Sequence, residues 1–178
     1  MTISTRATVL ALDEAQPSIH DDAFVADGAR VIGDVTLAAS SSVWYNTVLR
    51  GDTGSITIGA RSNLQDNVSV HVDSGHDTVL GEGISVGHNA VVHGCTIEDE
   101  CLIGMGAVVL SGAVIGRQSL VAAGAVVLEG AIIPPRSLVA GVPAKVRREL
   151  SDEEIAGIIA NGDRYVENAG RHARAISA

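Results

Sequence analysis

Four of the six histidines in this chain lie between residues 71 and 93. Neutral imidazole is a common ligand of zinc and of related divalent metals, and three imidazoles are enough to hold a catalytic zinc ion. His71, His88 and His93 are therefore candidate metal ligands. The fourth histidine of this region, His76, has two open interpretations: a residue that faces the substrate, or part of a polar turn.

A repeat of six residues must position these histidines. Isoleucine or valine recurs at every sixth position over the C-terminal half of the chain, at Ile97, Ile103, Val109, Ile115, Val121, Val127, Ile133 and Val139. A period of six fits neither an α-helix nor simple strand alternation. It indicates short strands that each point one aliphatic residue inward and are joined by tight corners, with three hexads to one triangular coil.

The same repeat extends upstream, with two insertions. Its members there are Leu80, Val86 and Val92, then Ile58, Leu64 and Val70, and more loosely Ile32, Val43 and Leu49. One insertion is a loop within Asp73–Thr78, and the other lies between Leu49 and Ile58. We therefore predict an all-β fold, a β-solenoid over residues 1–146.

A helix is predicted after the solenoid. Ser151 and Glu154 have the spacing of a capping box, and the isoleucines 155, 158 and 159 follow as an apolar stripe. Gly162 and Gly170 leave the length of this helix open. We expect residues 147–178 to form a C-terminal helical segment that packs on the side of the solenoid.

The hexad register places polar residues at equivalent positions of successive coils, so that they stack as a ladder. Arg50, His71 and His93 each follow an inward aliphatic residue on one face, in three successive coils. Since coils stack at about 4.8 Å, His71 and His93 are expected to reach one metal ion together. His88 lies on the preceding face, stacked on Asp66.

Two faces of a rigid prism diverge, so a neighbouring chain is the expected source of the third ligand. Three prisms around a threefold axis would bring His71 and His93 of one chain to His88 of the next, giving three equivalent sites. The same packing would bring Arg50 near Asp66 as an ion pair across the interface.

Composition excludes several other functions. The net charge is -9, from 21 acidic and 12 basic residues, and no basic run is present. Binding to nucleic acid or to an anionic membrane is therefore not expected. No export signal is expected from the N-terminal residues, and two cysteines are too few for a disulfide framework. These features favour a reducing, cytoplasmic location.

The motifs, taken together, resemble those of the γ-class carbonic anhydrases and related hexapeptide-repeat proteins. The matching segments are Arg50-Gly51-Asp52, Asn63-Leu64-Gln65-Asp66-Asn67, Val70-His71, Val86-Gly87-His88 and His93-Gly94-Cys95. The resemblance covers about residues 32–144 and the terminal helix. It implies a left-handed parallel β-helix and a homotrimer. It also implies zinc, or else Fe²⁺ or Co²⁺, bound by His71 and His93 of one subunit with His88 of the next.

The resemblance also implies an activity, the reversible hydration of CO₂ to bicarbonate by a metal-bound hydroxide at the subunit interfaces. It places Gln65 beside the metal-bound water, with Asn63 nearby. It assigns Arg50 and Asp66 to an intersubunit ion pair, and Asp52 to the same network. Tyr165 corresponds to a tyrosine of the terminal helix that contributes to the site in some members.

The chain departs from the family pattern in the inserted loop. That loop is short and has no glutamate to carry a proton away, and Thr53 replaces the acidic residue after Arg-Gly-Asp. His76 or buffer is then the expected proton acceptor. Two other functions stay open: a CoA-dependent acyltransferase or thioesterase of the hexapeptide class, and a metal-binding trimeric scaffold without catalysis.

Overall fold

The hexads form short strands that stack along the three faces of a triangular prism. This architecture is seen in a computed structural model of the chain, which describes residues 2–176. The solenoid has about eight turns and is followed by one helix. The predicted all-β fold, a left-handed parallel β-helix with a C-terminal α-helix, is confirmed.

Face 1 is the face that the helix covers. Its strands are Thr2–Ile3, Phe24–Val25, Ser42–Val43, Asn63–Leu64, Ser85–Val86, Leu102–Ile103, Leu120–Val121, Ser137–Ala140 and Lys145–Glu149. All neighbouring pairs are parallel except the last, in which Lys145–Glu149 runs back antiparallel along Ser137–Ala140. This last strand leads the chain from the solenoid into the helix.

Faces 2 and 3 share two long strands, Arg30–Leu37 and Val48–Ile58, which run around the corner between them. Face 2 otherwise contains Thr8–Leu10, Ser69–His71, Val91–His93, Val108–Val109 and Val126–Val127. Face 3 otherwise contains Ser18–Ile19, Thr78–Leu80, Thr96–Ile97, Val114–Ile115 and Ile132–Ile133.

Left-handed backbone conformations turn the chain between face 1 and face 2. Asn46, Asn67 and Asn89 occupy the same corner in three successive coils, with φ angles of 59°, 61° and 61°. Asparagine tolerates this region because its short side chain bonds to nearby backbone. Gly106 and Gly124 take over the position in the next two coils. The same left-handed turn therefore recurs at this corner in five successive coils.

A narrow column of aliphatic side chains fills the prism. Leu64, Val86 and Ile103 are stacked inward from face 1, and Val70 and Val92 from face 2, each 1% exposed or less. Because each inward residue fixes the direction of its neighbours, the residue after it must point outward. This alternation points Gln65, His71 and His93 away from the core, since they follow Leu64, Val70 and Val92.

Helix α1 spans Asp152–Ile176 and continues through both Gly162 and Gly170. Its capping box forms as predicted: the Ser151 hydroxyl accepts the Glu154 backbone N–H at 3.2 Å, and the Glu154 carboxylate accepts the Ser151 N–H at 2.9 Å. Hydrogen bonds from Arg148, with that backbone bond, lower the pKa of Glu154 to about 2. Within residues 2–176, no helix combines the length and apolar character needed to cross a bilayer.

The apolar residues of α1 lie against face 1. Ile155 and Ile158 form a cluster with outward leucines of three successive coils, Leu102, Leu120 and Leu138. The helix therefore runs along the stack of coils, and its packing stabilises the coils against one another.

All four aromatic residues of the chain meet where the end of α1 contacts the first coils. The centroid of the Trp44 ring lies 5.6 Å from that of Phe24, 5.4 Å from that of Tyr165 and 4.9 Å from that of His172, all in edge-on arrangements. The Tyr45 hydroxyl lies 2.7 Å from Nδ1 of His172. This cluster holds the C-terminal part of the helix on the solenoid.

Trp44→Ala should therefore destabilise the protein by about 3–5 kcal/mol, since a buried aromatic residue is lost and a cavity remains. Denaturant titration of the whole protein at fixed concentration measures the change. Tyr45→Phe is the matched control, because it removes one hydroxyl and keeps the ring, and it should cost about 0.5–1.5 kcal/mol. Equal effects of the two variants would contradict this role of Trp44.

Both cysteines are buried thiols in the solenoid wall. Burial raises the pKa of Cys95 and of Cys101 to about 12, so each stays protonated at neutral pH. They serve as small packing residues.

Candidate metal centre

His71 and His93 lie side by side on face 2, one coil apart. Their strands pair in parallel, with Val70 opposite Val92 and His71 opposite His93. Both valines point into the core, so both imidazoles point outward. Nδ1 of His71 lies 2.9 Å from Nε2 of His93, and the ring centroids are 5.0 Å apart. The hexad register thus brings these two ring nitrogens together.

Arg50 and Asp52 lie beside His71 at the end of the ladder. Arg50 is opposite His71 in the next strand, and its guanidinium donates a hydrogen bond to the Asp52 carboxylate. The other carboxylate oxygen of Asp52 is 2.9 Å from Nε2 of His71. Hydrogen bonding from His71, and then from Arg50, lowers the pKa of Asp52. Asp52 therefore remains an acceptor that orients His71.

His93 is bonded on its other side to a serine. Its Nδ1 atom is 3.0 Å from the Ser111 hydroxyl, which donates to the Asp73 carboxylate at 2.7 Å. The hydrogen bond from Ser111 is the main reason that the pKa of Asp73 is lowered. The hydroxyl therefore connects His93 to a negative charge in the inserted loop.

His88 lies at the corner between face 1 and face 2, two residues after the strand Ser85–Val86. Its Nδ1 atom is 2.8 Å from the carboxylate of Asp66, which occupies the same corner position one coil earlier. Among residues 2–176, no three His, Cys, Asp or Glu side chains of the one chain are grouped closely enough to hold a metal ion. His88 thus stands apart from the His71–His93 pair of its own chain.

The donor set fits a divalent metal. Each of the three histidines is bonded at one ring nitrogen, His71 and His88 to carboxylates and His93 to a serine hydroxyl. Metal-binding imidazoles characteristically have such outer partners, which fix the ring and leave the other nitrogen for the metal. Two imidazole nitrogens on a tetrahedral zinc lie about 3.3 Å apart, so the His71–His93 pair needs to open by only a few tenths of an ångström.

Gln65 and Asn63 lie on face 1 as parts of a chain of side-chain amides. Gln65 Nε2 donates to Asn63 Oδ1 at 3.2 Å, and Asn63 Nδ2 donates to the Ser85 hydroxyl at 2.9 Å. Asn161 of helix α1 donates to the same hydroxyl at 3.0 Å. These bonds use one donor of the Gln65 amide and leave its Oε1 atom as an acceptor.

A pocket of about 350 Å³ adjoins His88 and Gln65. Its wall is largely apolar and includes Leu102 and Leu120. Helix α1 closes one side with Asn161 and Tyr165, the tyrosine singled out in the sequence. Burial raises the pKa of Tyr165, so its hydroxyl stays protonated at neutral pH.

His76 lies in the inserted loop, away from this pocket. It lines a separate groove with Asp73, Ser111 and Glu129, and its ring lies against Gly112. His76 is thus placed on the side of His93 that carries the Ser111–Asp73 bond.

Four supporting residues were not identified from the sequence. Ser111 and Ser85 bond to His93 and Asn63 from neighbouring coils. Asp73 of the inserted loop bonds to Ser111, and Asn161 of the helix bonds to Ser85. The register gives a signal for Ser111, which follows the inward Val109 by two positions and lies one coil beyond His93. Asn161 has no comparable signal, because the repeat does not define how α1 sits on face 1.

A family model described as "Bacterial transferase hexapeptide (six repeats)" matches residues 94–129. Gamma carbonic anhydrase 1, mitochondrial, of Arabidopsis thaliana is 42% identical over 177 residues, and the match covers 96% of this chain and 64% of the plant protein. This chain therefore spans less than two thirds of that relative's length.

Two bacterial proteins match over nearly their whole length. The carbonic anhydrase of Geobacillus kaustophilus is 41% identical over 160 residues, which cover 90% of this chain and 87% of the relative. A Bacillus cereus protein named as a candidate acetyltransferase has a crystal structure that superposes with a TM-score of 0.94 at 38% identity, covering 96% and 99% of the two chains.

Proposed function

The chain belongs to the γ-class carbonic anhydrase family of hexapeptide-repeat proteins, and on that premise we propose that it catalyses the reversible hydration of CO₂ to bicarbonate. The observation that carries the proposal is the approach of Nδ1 of His71 to Nε2 of His93, at 2.9 Å. With His88 of a neighbouring subunit, these atoms would bind zinc, or else Fe²⁺ or Co²⁺.

The proposed assembly is a homotrimer with three shared sites. His71 and His93 point outward from face 2, whereas His88 lies at a corner 36% exposed. The apolar residues next to them support packing of face 2 against that corner: Leu110 follows His93 in the ladder of face 2, and Met105, 62% exposed, follows His88 at the corner. Arg50 would then reach Asp66 of the neighbour, as the sequence predicts.

Zinc held by three neutral imidazoles would supply the nucleophile, since zinc in such a site lowers the pKa of bound water to about 7. The residues of the chain would do the rest. Gln65, held by Asn63, offers Oε1 as an acceptor that orients the attacking oxygen. The apolar wall near Leu102 and Leu120 would admit CO₂ and exclude bulk water. Tyr165 closes the pocket, and His76 or buffer would take the released proton.

Stopped-flow CO₂ hydration tests the proposal directly. Protein loaded with zinc, and separately with Fe²⁺ in the absence of oxygen, should accelerate hydration above the metal-free protein, and bicarbonate dehydration should be accelerated too. A fully metallated trimer that accelerates neither direction would refute the proposal and would favour a scaffold that binds metal without catalysis.

One alternative enzyme function deserves its own test, because the Bacillus cereus structure is named as a candidate acetyltransferase. Isothermal titration with acetyl-CoA would distinguish the two activities. We expect no saturable binding of acetyl-CoA to the metal-loaded protein. Tight binding without CO₂ hydration would replace our proposal with a CoA-dependent one.

A further inference from the structure

Ser111 stands between a candidate metal ligand and a carboxylate. Its hydroxyl oxygen is 3.0 Å from Nδ1 of His93 and 2.7 Å from Oδ2 of Asp73. The carboxylate itself is 3.6 Å from Nδ1 of His93, which is too far for a direct hydrogen bond. Ser111 is thus the link between the loop and the imidazole.

These contacts assign the protons. An ionised carboxylate only accepts hydrogen bonds, and a hydroxyl has a single proton to donate. Ser111 gives that proton to Asp73, so its oxygen accepts the Nδ1–H of His93. The lone pair of His93 is then on Nε2, the atom that faces His71.

The same reasoning applies to His71. Asp52 accepts the Nε2–H of His71 at 2.9 Å, which leaves the lone pair of His71 on Nδ1. The lone pairs of His71 and His93 therefore converge at 2.9 Å. A divalent metal ion placed beside the two atoms would be bound by both lone pairs.

We propose that Ser111, held by Asp73, is a positioning residue that fixes the tautomer and the ring orientation of His93 so that its Nε2 lone pair joins that of His71. The inference rests on the proposed function, since a metal ion is the cation that this pair would serve. Gly94 supports it: a Cβ there would lie 2.9 Å from the Ser111 hydroxyl, so glycine leaves room for the bond.

Zinc affinity measures the effect. In the full-length protein, competition with a chromophoric chelator should show Ser111→Ala binding Zn²⁺ about 10–100-fold more weakly than the parent, as is typical when an outer partner of a ligand is lost. Ser111→Thr keeps the hydroxyl and should bind within about threefold of the parent.

The chain offers a matched control at another serine. The Ser40 hydroxyl donates to Asp22 at 3.1 Å, and Asp22 is 2.6 Å from Nδ1 of His20, far along the chain from the candidate centre. Ser40→Ala removes the same type of bond and should leave zinc affinity unchanged.

A second readout does not depend on metal. Nitrogen-15 NMR of the metal-free protein should show His93 protonated at Nδ1, and Ser111→Ala should lose this preference. Asp73→Ala is a second variant: it frees the hydroxyl to donate to His93 and should shift the proton toward Nε2.

The two proposals can fail separately. If the parent protein binds no zinc, the proposed function fails, while the tautomer of His93 still decides the role of Ser111. If Ser111→Ala keeps both the parent's zinc affinity and its tautomer, the serine only anchors the inserted loop and our inference is wrong.

Discussion

His93→Ala is expected to abolish zinc binding and CO₂ hydration together. Nε2 of His93 and Nδ1 of His71 are the two ring nitrogens that converge on face 2, and the variant leaves only one of them. Loss of an outer partner typically costs 10–100-fold in metal affinity, and loss of a ligand should cost more than about 100-fold. Activity should then fall to the rate of the metal-free protein.

Metal content by mass spectrometry and stopped-flow hydration, on the same preparations, would measure both losses. His20→Ala is the control, because His20 is 53% exposed and bonded to Asp22 on an early coil. Sedimentation should show that both variants keep the assembly of the parent. A His93→Ala protein that is fully metallated and fully active would rule out the proposed centre.

The repeat explains why so much of the fold follows from sequence. Each inward aliphatic residue, such as Val70 or Val92, occupies the same position of its hexad. Because these residues are buried, they determine which of their neighbours point outward. The side-by-side placement of His71 and His93, and of Asp66 and His88, follows from that arithmetic alone. Left-handedness came only from the family resemblance, since periodicity does not encode it.

The supporting contacts are less predictable from sequence, because they are made by the inserted loop and the helix, which lie outside the six-residue repeat. Asp73 reaches Ser111 only because the loop between Val70 and Leu80 turns back over the next coils, as its bridge from Asp73 to His76 shows. Likewise, Asn161 meets Ser85 because leucines on face 1 and the aromatic cluster set the position of α1. Both contacts, Asp73 with Ser111 and Asn161 with Ser85, therefore depend on how the loop and the helix pack on the solenoid.

Mixed assemblies of two inactive variants are expected to regain activity. In the proposed trimer each site takes His71 and His93 from one subunit and His88 from the next, so His88→Ala and His93→Ala proteins should each be inactive alone. A trimer that contains both kinds of subunit has one junction where an intact His93 meets an intact His88. Each mixed trimer should therefore have one working site of three.

Random mixing at equal amounts gives mixed trimers in about three quarters of cases, so the mixture should recover about a quarter of the parent activity. Co-expression with two affinity tags allows the mixed trimers to be purified. Rates per trimer from stopped-flow hydration and zinc content per trimer should rise together, because both count intact sites.

The activity of the purified mixed assembly distinguishes a trimer from a dimer. A shared site in a dimer would also recover about a quarter of the activity on random mixing, but its purified heterodimer would retain one half of the parent activity. A trimer predicts about one third, whether the subunit ratio is one to two or two to one. Recovery of about one third would therefore establish both the sharing of ligands and the threefold closure. No recovery would show that the three histidines do not meet across subunits, and it would remove the reason for placing His88 in the centre.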